Sequence, residues 1–347
     1  MKIAIIGAGL IGQERIAALK RIIAEHDQKF IISIVIDTDS DKLNQVKEKF
    51  GCEVSTDLNV ISKYQPDWIF ICTPHKFVYS LAKIAFNYGC NVFIEKPLGR
   101  SLEECCQIID LKPSHSRLAV GFNYRFYNGI RQSINDALNG YFGQLISVNM
   151  ILGHGNAPGM EKSWKLNYES CGGGALIDPG IHLLDLVLCL AKGEIKVMGG
   201  TQWSGFWNSG IEEEVQLLLK DTFDTTFNIQ TSLNRWRSTF RLEINGTDGY
   251  GIVFGRGRSY GPQTYITGKR WGWQSGISQM ESEKTIVEAD PVNDSFYLEL
   301  CSLFSLIVDS ISINHPQLGV SNEIQALKSM DLLDRSRKSV NLPIYST

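Results

Sequence analysis

A chain of 347 residues exceeds what one hydrophobic core organises, so two domains are expected. Hydrophobic residues make up 43% and charged residues 20%, the balance of a globular protein with sizeable cores and not of a disordered or fibrous one. The formal net charge of −3 argues against general nucleic-acid binding, which favours clearly basic surfaces, but leaves room for a local basic patch that holds an anionic small molecule.

The opening segment, MKIAIIGAGLIGQERIAALK, places a lysine before an apolar stretch, as a secretory leader does. The stretch is short, carries patterned glycines, runs into Gln13, Glu14 and Arg15, and has no clear small-residue cleavage site. No other apolar run reaches the roughly 18 to 20 residues needed to cross a bilayer. None of the eight cysteines forms a CxxC pair, and several sit in apolar runs such as IFICT and LVLCL. Structural zinc is therefore not expected, and a reduced, cytoplasmic protein without a membrane partner is.

KIAIIG, from Lys2 to Gly7, has the β-branched character of a buried parallel strand. It leads straight into Gly7-Ala8-Gly9-Leu10-Ile11-Gly12 and then a helical pattern through about His26. GxGxxG between a strand and a helix is the context of a dinucleotide site. Gly7 permits the tight turn, Gly9 lets the backbone approach a pyrophosphate, and Gly12 allows close helix–strand packing, while the helix N-terminus offers free N–H groups. A glycine-rich turn without a ligand is the alternative. The second strand, FIISIVID, ends at Asp37, placed as a ribose-binding carboxylate. No arginine follows it, so NAD is favoured over NADP. Asp39 and Asp41 read as helix-capping and first-turn residues. DWIFICT, NVFIEK and RLAVGF continue as strands with helical patterns between them, which predicts a doubly wound parallel sheet. Thr73-Pro74 and Glu95-Lys96-Pro97 fall at carboxyl ends of strands, where ligands of such sheets bind. Lys96 is either a surface lysine before a proline turn or a donor to a substrate hydroxyl that stabilises developing alkoxide charge.

After about Asn123 the alternation stops. A helical stretch from Ile130 to Leu138 is followed by strand-like runs: QLISVNMILG, IKVMGGTQW, EEVQLLLK, TFNIQTSL, RWRSTFRLEI and YGIVF. Two helical patterns, about Asp294 to Ile311 and Ser321 to Arg337, follow. The expectation is an α/β protein with domains at 1–122 and 123–347, the second built on a large, mainly antiparallel open sheet, with the last helices free to return to the first domain. In RWRSTFRL, Arg235, Arg237 and Arg241 alternate with Trp236, Ser238, Phe240 and Leu242. This reads as one wet cationic face of a strand or, with Arg256 and Arg258 nearby, as a phosphate-binding patch for a nucleotide sugar. Trp203, Trp207, Trp271 and Trp273 are candidates for packing or for stacking on sugar rings.

Between two of these runs lies GGGALIDPGIHLLDL, from Gly172 to Leu186. Asp178, His182 and Asp185 are spaced i, i+4 and i+7, one stripe of an otherwise apolar helix. Asp178 before Pro179 has the signature of an N-cap with proline at the first helical position. His182 suits a general base that removes a hydroxyl proton while hydride leaves the same carbon, with Asp178 orienting it or holding substrate. Gly172 to Gly174 would let the backbone run close beside a ligand. Asp185 fits pairing with a neighbouring backbone or cation. A metal site would need ligands that the region lacks, so none is expected.

Taken together, GAGLIG, Asp37, Thr73-Pro74, EKPL (Glu95 to Leu98), GFNYRF (Gly121 to Phe126), SWK (Ser163 to Lys165) and GGGALIDPGIHLLD resemble, in order and spacing, the glucose-fructose oxidoreductase / inositol dehydrogenase / rhizopine catabolism (Gfo/Idh/MocA) family. The resemblance implies a Rossmann domain, a C-terminal α/β domain whose sheet forms homodimers or homotetramers, and NAD(P)-dependent oxidation or reduction of a sugar or polyol. It implies catalytic roles for Lys96, Asp178 and His182. Cofactor contacts are implied for Gly7, Gly9, Leu10, Ile11, Gly12, Asp37, Thr73, Pro74, Glu95, Lys96 and Asn123. Substrate contacts are implied for Lys96, Asn123, Arg125, Trp164, Lys165, Asp178 and His182. The chain departs from the family at His75 and Val78, where TPNxxH is common, at GCNV ahead of the fifth strand, and at Asn128, where a proline is frequent. The rival readings are a non-catalytic NAD(H)-binding regulator, against which the retained Lys96, Asp178 and His182 argue, and an enzyme that uses tightly bound NAD for transient oxidation.

Overall fold

The computed structural model describes residues 1–26, 29–270, 283–288, 292–306 and 317–343. The chain divides into two compact units: Met1–Asn123 with Phe296–Met330, and Tyr124–Ser295 with Asp331–Tyr345. The segment Phe296–Met330 clusters with the first unit.

The first unit alternates strand and helix as β1 (Lys2–Ile6), α1 (Leu10–Glu25), β2 (Ile31–Ile36), α2 (Ser40–Phe50), β3 (Val54–Ser55), α3 (Ile61–Tyr64), β4 (Trp68–Ile71), α4 (Val78–Asn87), β5 (Asn91–Glu95), α5 (Leu102–Asp110) and β6 (Leu118–Gly121). The strands pair in parallel in the order β6-β5-β4-β1-β2-β3, the reversal at β1 and β4 being that of a doubly wound fold. Ile3, Ile5, Ile69, Phe70, Val92 and Phe93 are fully buried, because helices cover both faces of such a sheet. Asp39 caps α2 by accepting from the amides of Asp41 and Lys42, as its position indicates. The two-residue strand Ser321–Asn322 adds an antiparallel edge beside β6, too short for a pattern in the sequence to show it.

Arg15 on α1 holds the core of this unit together. Its side chain has no solvent exposure; its Nε lies 2.5 Å from Glu95 Oε1 and its Nη2 lies 2.6 Å from Glu299 Oε2. The guanidinium also sits 4.6 Å from the Phe93 ring centre and 4.7 Å from that of Phe296. Burial works against its charge, but Glu299 and Glu95 more than offset that, so its pKa is raised. A Cβ at Gly121 would approach Arg15 Nη2 to 2.7 Å, so only glycine fits at the end of β6.

The second unit begins with α6 (Asn128–Leu138), β7 (Leu145–Gly153), α7 (Tyr168–Cys171) and α8 (Ile181–Leu190). Strands β8 (Ile195–Trp203), β9 (Glu214–Asp221), β10 (Thr226–Ser232), β11 (Thr239–Gly246), β12 (Gly249–Phe254), β13 (Gln263–Lys269) and β14 (Lys284–Glu288) follow. They form an eight-stranded sheet in the order β14-β13-β12-β11-β7-β10-β9-β8, antiparallel except for β7 with β10. Val148, Met150, Leu152, Phe227, Ile229, Leu217 and Leu219 point to the buried face, and the alternating positions are more open. This is the period of a sheet with one covered face. β11 starts only at Thr239, so Arg235 and Arg237 precede the strand and the alternation read from RWRSTFRL does not lie on one strand face. Trp271 and Trp273 lie outside the described residues.

Removing Arg15 would take this cation from the buried Glu299 and the half-buried Glu95. Arg15→Met is expected to destabilise the protein by about 3–5 kcal/mol in urea unfolding; a change under about 1 kcal/mol would show that the triad does not hold this unit together.

Candidate active site

In the first unit, Gly7 takes φ +106° and donates its N–H to the Ile36 carbonyl at 2.8 Å. Gly12 is required by contact: a Cβ there would come to 1.9 Å from the Gly7 carbonyl oxygen. The Ala8 N–H donates to Asp37 Oδ2 at 2.7 Å, and Asp39 N–H to Asp37 Oδ1 at 3.0 Å, so the carboxylate at the end of β2 also fixes the glycine loop. Helix α1 starts after Gly9 with no side-chain cap and no acidic residue in its first turn. Its N-terminal amides and the positive end of its dipole are left for an anion. Leu10 is exposed beside that end, with Ile11 at its margin. Thr73, after β4, has a buried hydroxyl with no hydrogen-bond partner among the described residues. A free helix N-terminus, a strand-end carboxylate and an orphaned hydroxyl at the carboxyl edge of a parallel sheet fit a dinucleotide.

Glu95 and Lys96 end β5, and the Lys96-Pro97 peptide is cis. Glu95 is turned inward onto Arg15, so its work is to anchor the strand end that carries Lys96. Asn123, the last residue of this unit, is buried at the start of a 3₁₀ turn that runs to Phe126.

In the second unit the DPGIH segment differs from its sequence reading. Helix α8 begins at Ile181 with Gly180 as its cap residue, so Asp178 is not an N-cap and Pro179 is not its first helical residue. The Asp178-Pro179 peptide is cis, and Asp178 Oδ2 pairs with Lys165 Nζ at 2.9 Å. The carboxylate thus meets a cation from the SWK turn, and the charge of Asp178 raises the Lys165 pKa. Trp164 lies beside that lysine, 5.9 Å from ring centre to Nζ. His182, buried on the first turn of α8, stacks on Tyr124 with ring centres 4.0 Å apart and planes 19° from parallel.

Arg125 and Asp185 form a bidentate buried pair at 2.7 and 2.6 Å. The guanidinium expected to meet substrate is therefore committed to Asp185. The pair joins residue 125 to a position one turn after His182, and so sets the neighbouring Tyr124 ring against the imidazole. The glycine run also has another purpose than the one expected. A Cβ at Gly174 would meet the Glu212 carbonyl oxygen at 1.9 Å, and one at Gly173 would meet Arg337 Nη2 at 2.2 Å. These glycines make room for protein. Glu212, its carboxyl pKa pushed up by burial, accepts from the Leu176 N–H at 3.1 Å and fixes the same turn.

Of the arginines read as a patch, Arg241 pairs with Glu243 at 2.6 Å. Arg256 reaches Tyr124, on which His182 stacks, and Tyr260: its guanidinium lies 5.3 Å from the Tyr124 ring centre and 3.9 Å from that of Tyr260. Sequence reasoning named Arg256 only as part of a patch and passed over Tyr124, Tyr127 and Tyr260. Trp207 is packed against the cluster of Leu166, Ala175, Ile211 and Leu233, while Trp203 is exposed. No group of three or more potential metal ligands occurs among the described residues, and no described helix is long and apolar enough to cross a membrane. All eight cysteines are free thiols.

Comparison with known proteins follows the same division. Residues 1–122 match the GFO_IDH_MocA oxidoreductase family model with its NAD-binding Rossmann fold, and residues 131–251 match the GFO/IDH/MocA C-terminal domain. The chain is similar to a D-glucoside 3-dehydrogenase of Escherichia coli, 29% identical over 54% of this chain and 53% of that protein. It is 26% identical to an inositol 2-dehydrogenase of Acidothermus cellulolyticus over 72% and 71% of the two chains. It spans about half the length of several other curated relatives that it matches. Among solved structures, a levoglucosan dehydrogenase with NADH and levoglucosan superposes with a TM-score of 0.80 over 99% of this chain and 100% of that one, at 15% identity, which speaks for the fold. The chain belongs to the GFO/IDH/MocA family of oxidoreductases, with the family's NAD-binding Rossmann domain followed by its C-terminal domain.

Proposed function

We propose that this protein oxidises a secondary alcohol of a sugar, sugar derivative or polyol, or reduces the corresponding ketone, in the cytoplasm. The observation that carries the reading is His182 on its Tyr124 platform, four residues after a Lys165-paired Asp178, in a chain that also retains Glu95-Lys96-Pro97. The motif order joins Lys96 to His182 in one reaction. NAD, when bound, supplies the hydride acceptor, the C4 of its nicotinamide. In the oxidation the substrate C–H pair leaves as hydride, the hydroxyl proton passes to a His182 ring nitrogen, and the carbon becomes a carbonyl. Lys96 Nζ donates a hydrogen bond to the same oxygen and stabilises its developing negative charge. Asp178 and Lys165 hold the substrate hydroxyls near the imidazole, with Trp164 and Asn123 at the borders of the substrate and nicotinamide. Arg125 acts as a positioning residue through Asp185.

Asp37 supports NAD over NADP, since a carboxylate at the ribose end repels a 2′-phosphate. Trp203 and Leu218 are exposed on the open face of the second sheet, where Leu218 lines a groove of about 530 Å³. Apolar side chains so arranged support a homo-oligomer through that face, and sedimentation of the purified protein at the mass of one chain would remove this part of the reading.

Lys96→Ala and His182→Ala are each expected to lower kcat by about 10²-fold or more, with NADH affinity within about threefold of wild type and NADP bound about tenfold more weakly than NAD. Turnover near wild type in both variants, with normal NADH binding, removes the catalytic assignment; equal NAD and NADP affinities remove the cofactor assignment.

A further inference from the structure

Arg256 is held in place by unusual backbone. It stands between Gly255 at φ +68° and Gly257 at φ +85°, just beyond the end of β12. A Cβ at Gly255 would come to 2.2 Å from the Pro262 carbonyl oxygen, so the chain can fold back there only with glycine. The Gly257 N–H closes the loop on the Gly261 carbonyl at 2.7 Å. Long arginine side chains are costly to order, and this one is ordered by a loop built around it.

Its surroundings are aromatic and carry no balancing charge. The guanidinium lies between the rings of Tyr124 and Tyr260, and its Nη1 donates to the Tyr127 hydroxyl at 3.3 Å. Among the described residues no carboxylate pairs with it, and its buried Nε has no hydrogen-bond partner. Nε–H is one of the two donors on the edge with which arginine grips a carboxylate or phosphate. Tyr124 is the ring on which His182 stacks, so the cation and the proposed general base share one neighbour. Nearby, Lys165 and Asp178 neutralise each other, which leaves Arg256 as the net charge of the cluster. A buried donor left unsatisfied on a half-buried guanidinium that no carboxylate pairs is unfavourable unless a ligand supplies the acceptor.

We infer that Arg256 is a specificity residue that binds an oxoanion, a carboxylate or a phosphate, on the sugar that His182 acts upon. The inference rests on the dehydrogenase reading for the identity of the site, and it narrows the substrate class from neutral polyols to acidic sugars. It assigns no redox or covalent step to Arg256.

The test uses binding, so that it does not depend on turnover. Purified protein saturated with NADH is titrated calorimetrically with D-glucuronate against D-glucuronamide, and with glucose 6-phosphate against glucose. At least one acid is expected to bind about 100-fold more tightly than its neutral partner, the winning pair telling carboxylate from phosphate. Arg256→Gln should bring that preference within about threefold, and Arg256→Lys should keep about a tenth of it, since it retains charge but loses the fork. Should the glutamine variant fail to fold by circular dichroism, the wild-type and lysine titrations decide. Acids that bind no better than their neutral partners, no binding by any of the four compounds, or a preference that survives Arg256→Gln would each overturn the proposal. Failure of the dehydrogenase reading looks different: the acid preference stands, yet no NADH forms from NAD with any of them.

Discussion

The first unit depends on a charge that water never touches. Arg15 projects from the helix that opens the dinucleotide loop, and it meets Glu95 at the end of β5 and Glu299 on the helix Val292–Leu303. Ion pairs removed from water are favourable only when geometry repays the desolvation. Here two carboxylates and two aromatic faces surround one guanidinium, and Gly121 is pared to a hydrogen to admit it. One side chain therefore ties helix α1, which follows the glycine loop, to the end of β5, which precedes Lys96, and both to a segment far later in the chain.

A second buried pair does the same work in the other unit. Arg125 and Asp185 lock the NYRF turn to helix α8, and the consequence appears at their neighbours, where Tyr124 stacks on His182. In each unit an arginine–carboxylate pair adjoins a residue proposed to react: Lys96 follows Glu95, and His182 precedes Asp185 by one turn. On the proposed function, pairs of this kind would act by position and not by contact with substrate, and an imidazole already held against Tyr124 would lose little freedom on binding. The Lys165–Asp178 pair is more open, 44% exposed at the lysine and 9% at the aspartate, which suits groups that exchange partners with substrate hydroxyls.

The alternation of strand and helix, the glycine loop and the strand-end carboxylate were legible because each depends on local pattern or on a backbone rule. The boundary of α8 was not. Asp-Pro before an apolar run has the form of a helix start, but the segment from Gly172 to Leu176 that leads into it is set by Arg337 and Glu212, which lie far along the chain. The same reason hid the purpose of Gly172 to Gly174, whose missing Cβ atoms accommodate those residues. Asp185 was legible as a group in need of a partner, while Arg125 as that partner required the fold. RWRSTFRL misled because alternation alone does not show where a strand begins. Arg256 is flanked by glycines in GRG, a signal present in the sequence, but its tyrosine neighbours come from residues 124, 127 and 260.

The central claim is that hydride passes directly between a sugar carbon and the cofactor bound by the first unit. It is tested most directly by incubating the purified protein with NAD and uniformly carbon-deuterated sugars and sugar acids, following absorbance at the NADH band, and recording the proton spectrum of the reduced cofactor. The account predicts that at least one of these compounds yields NADH carrying a single deuterium at C4 and none lost to solvent. Reduced cofactor that carries only solvent hydrogen at C4, or no reduced cofactor from any of the compounds, would contradict it.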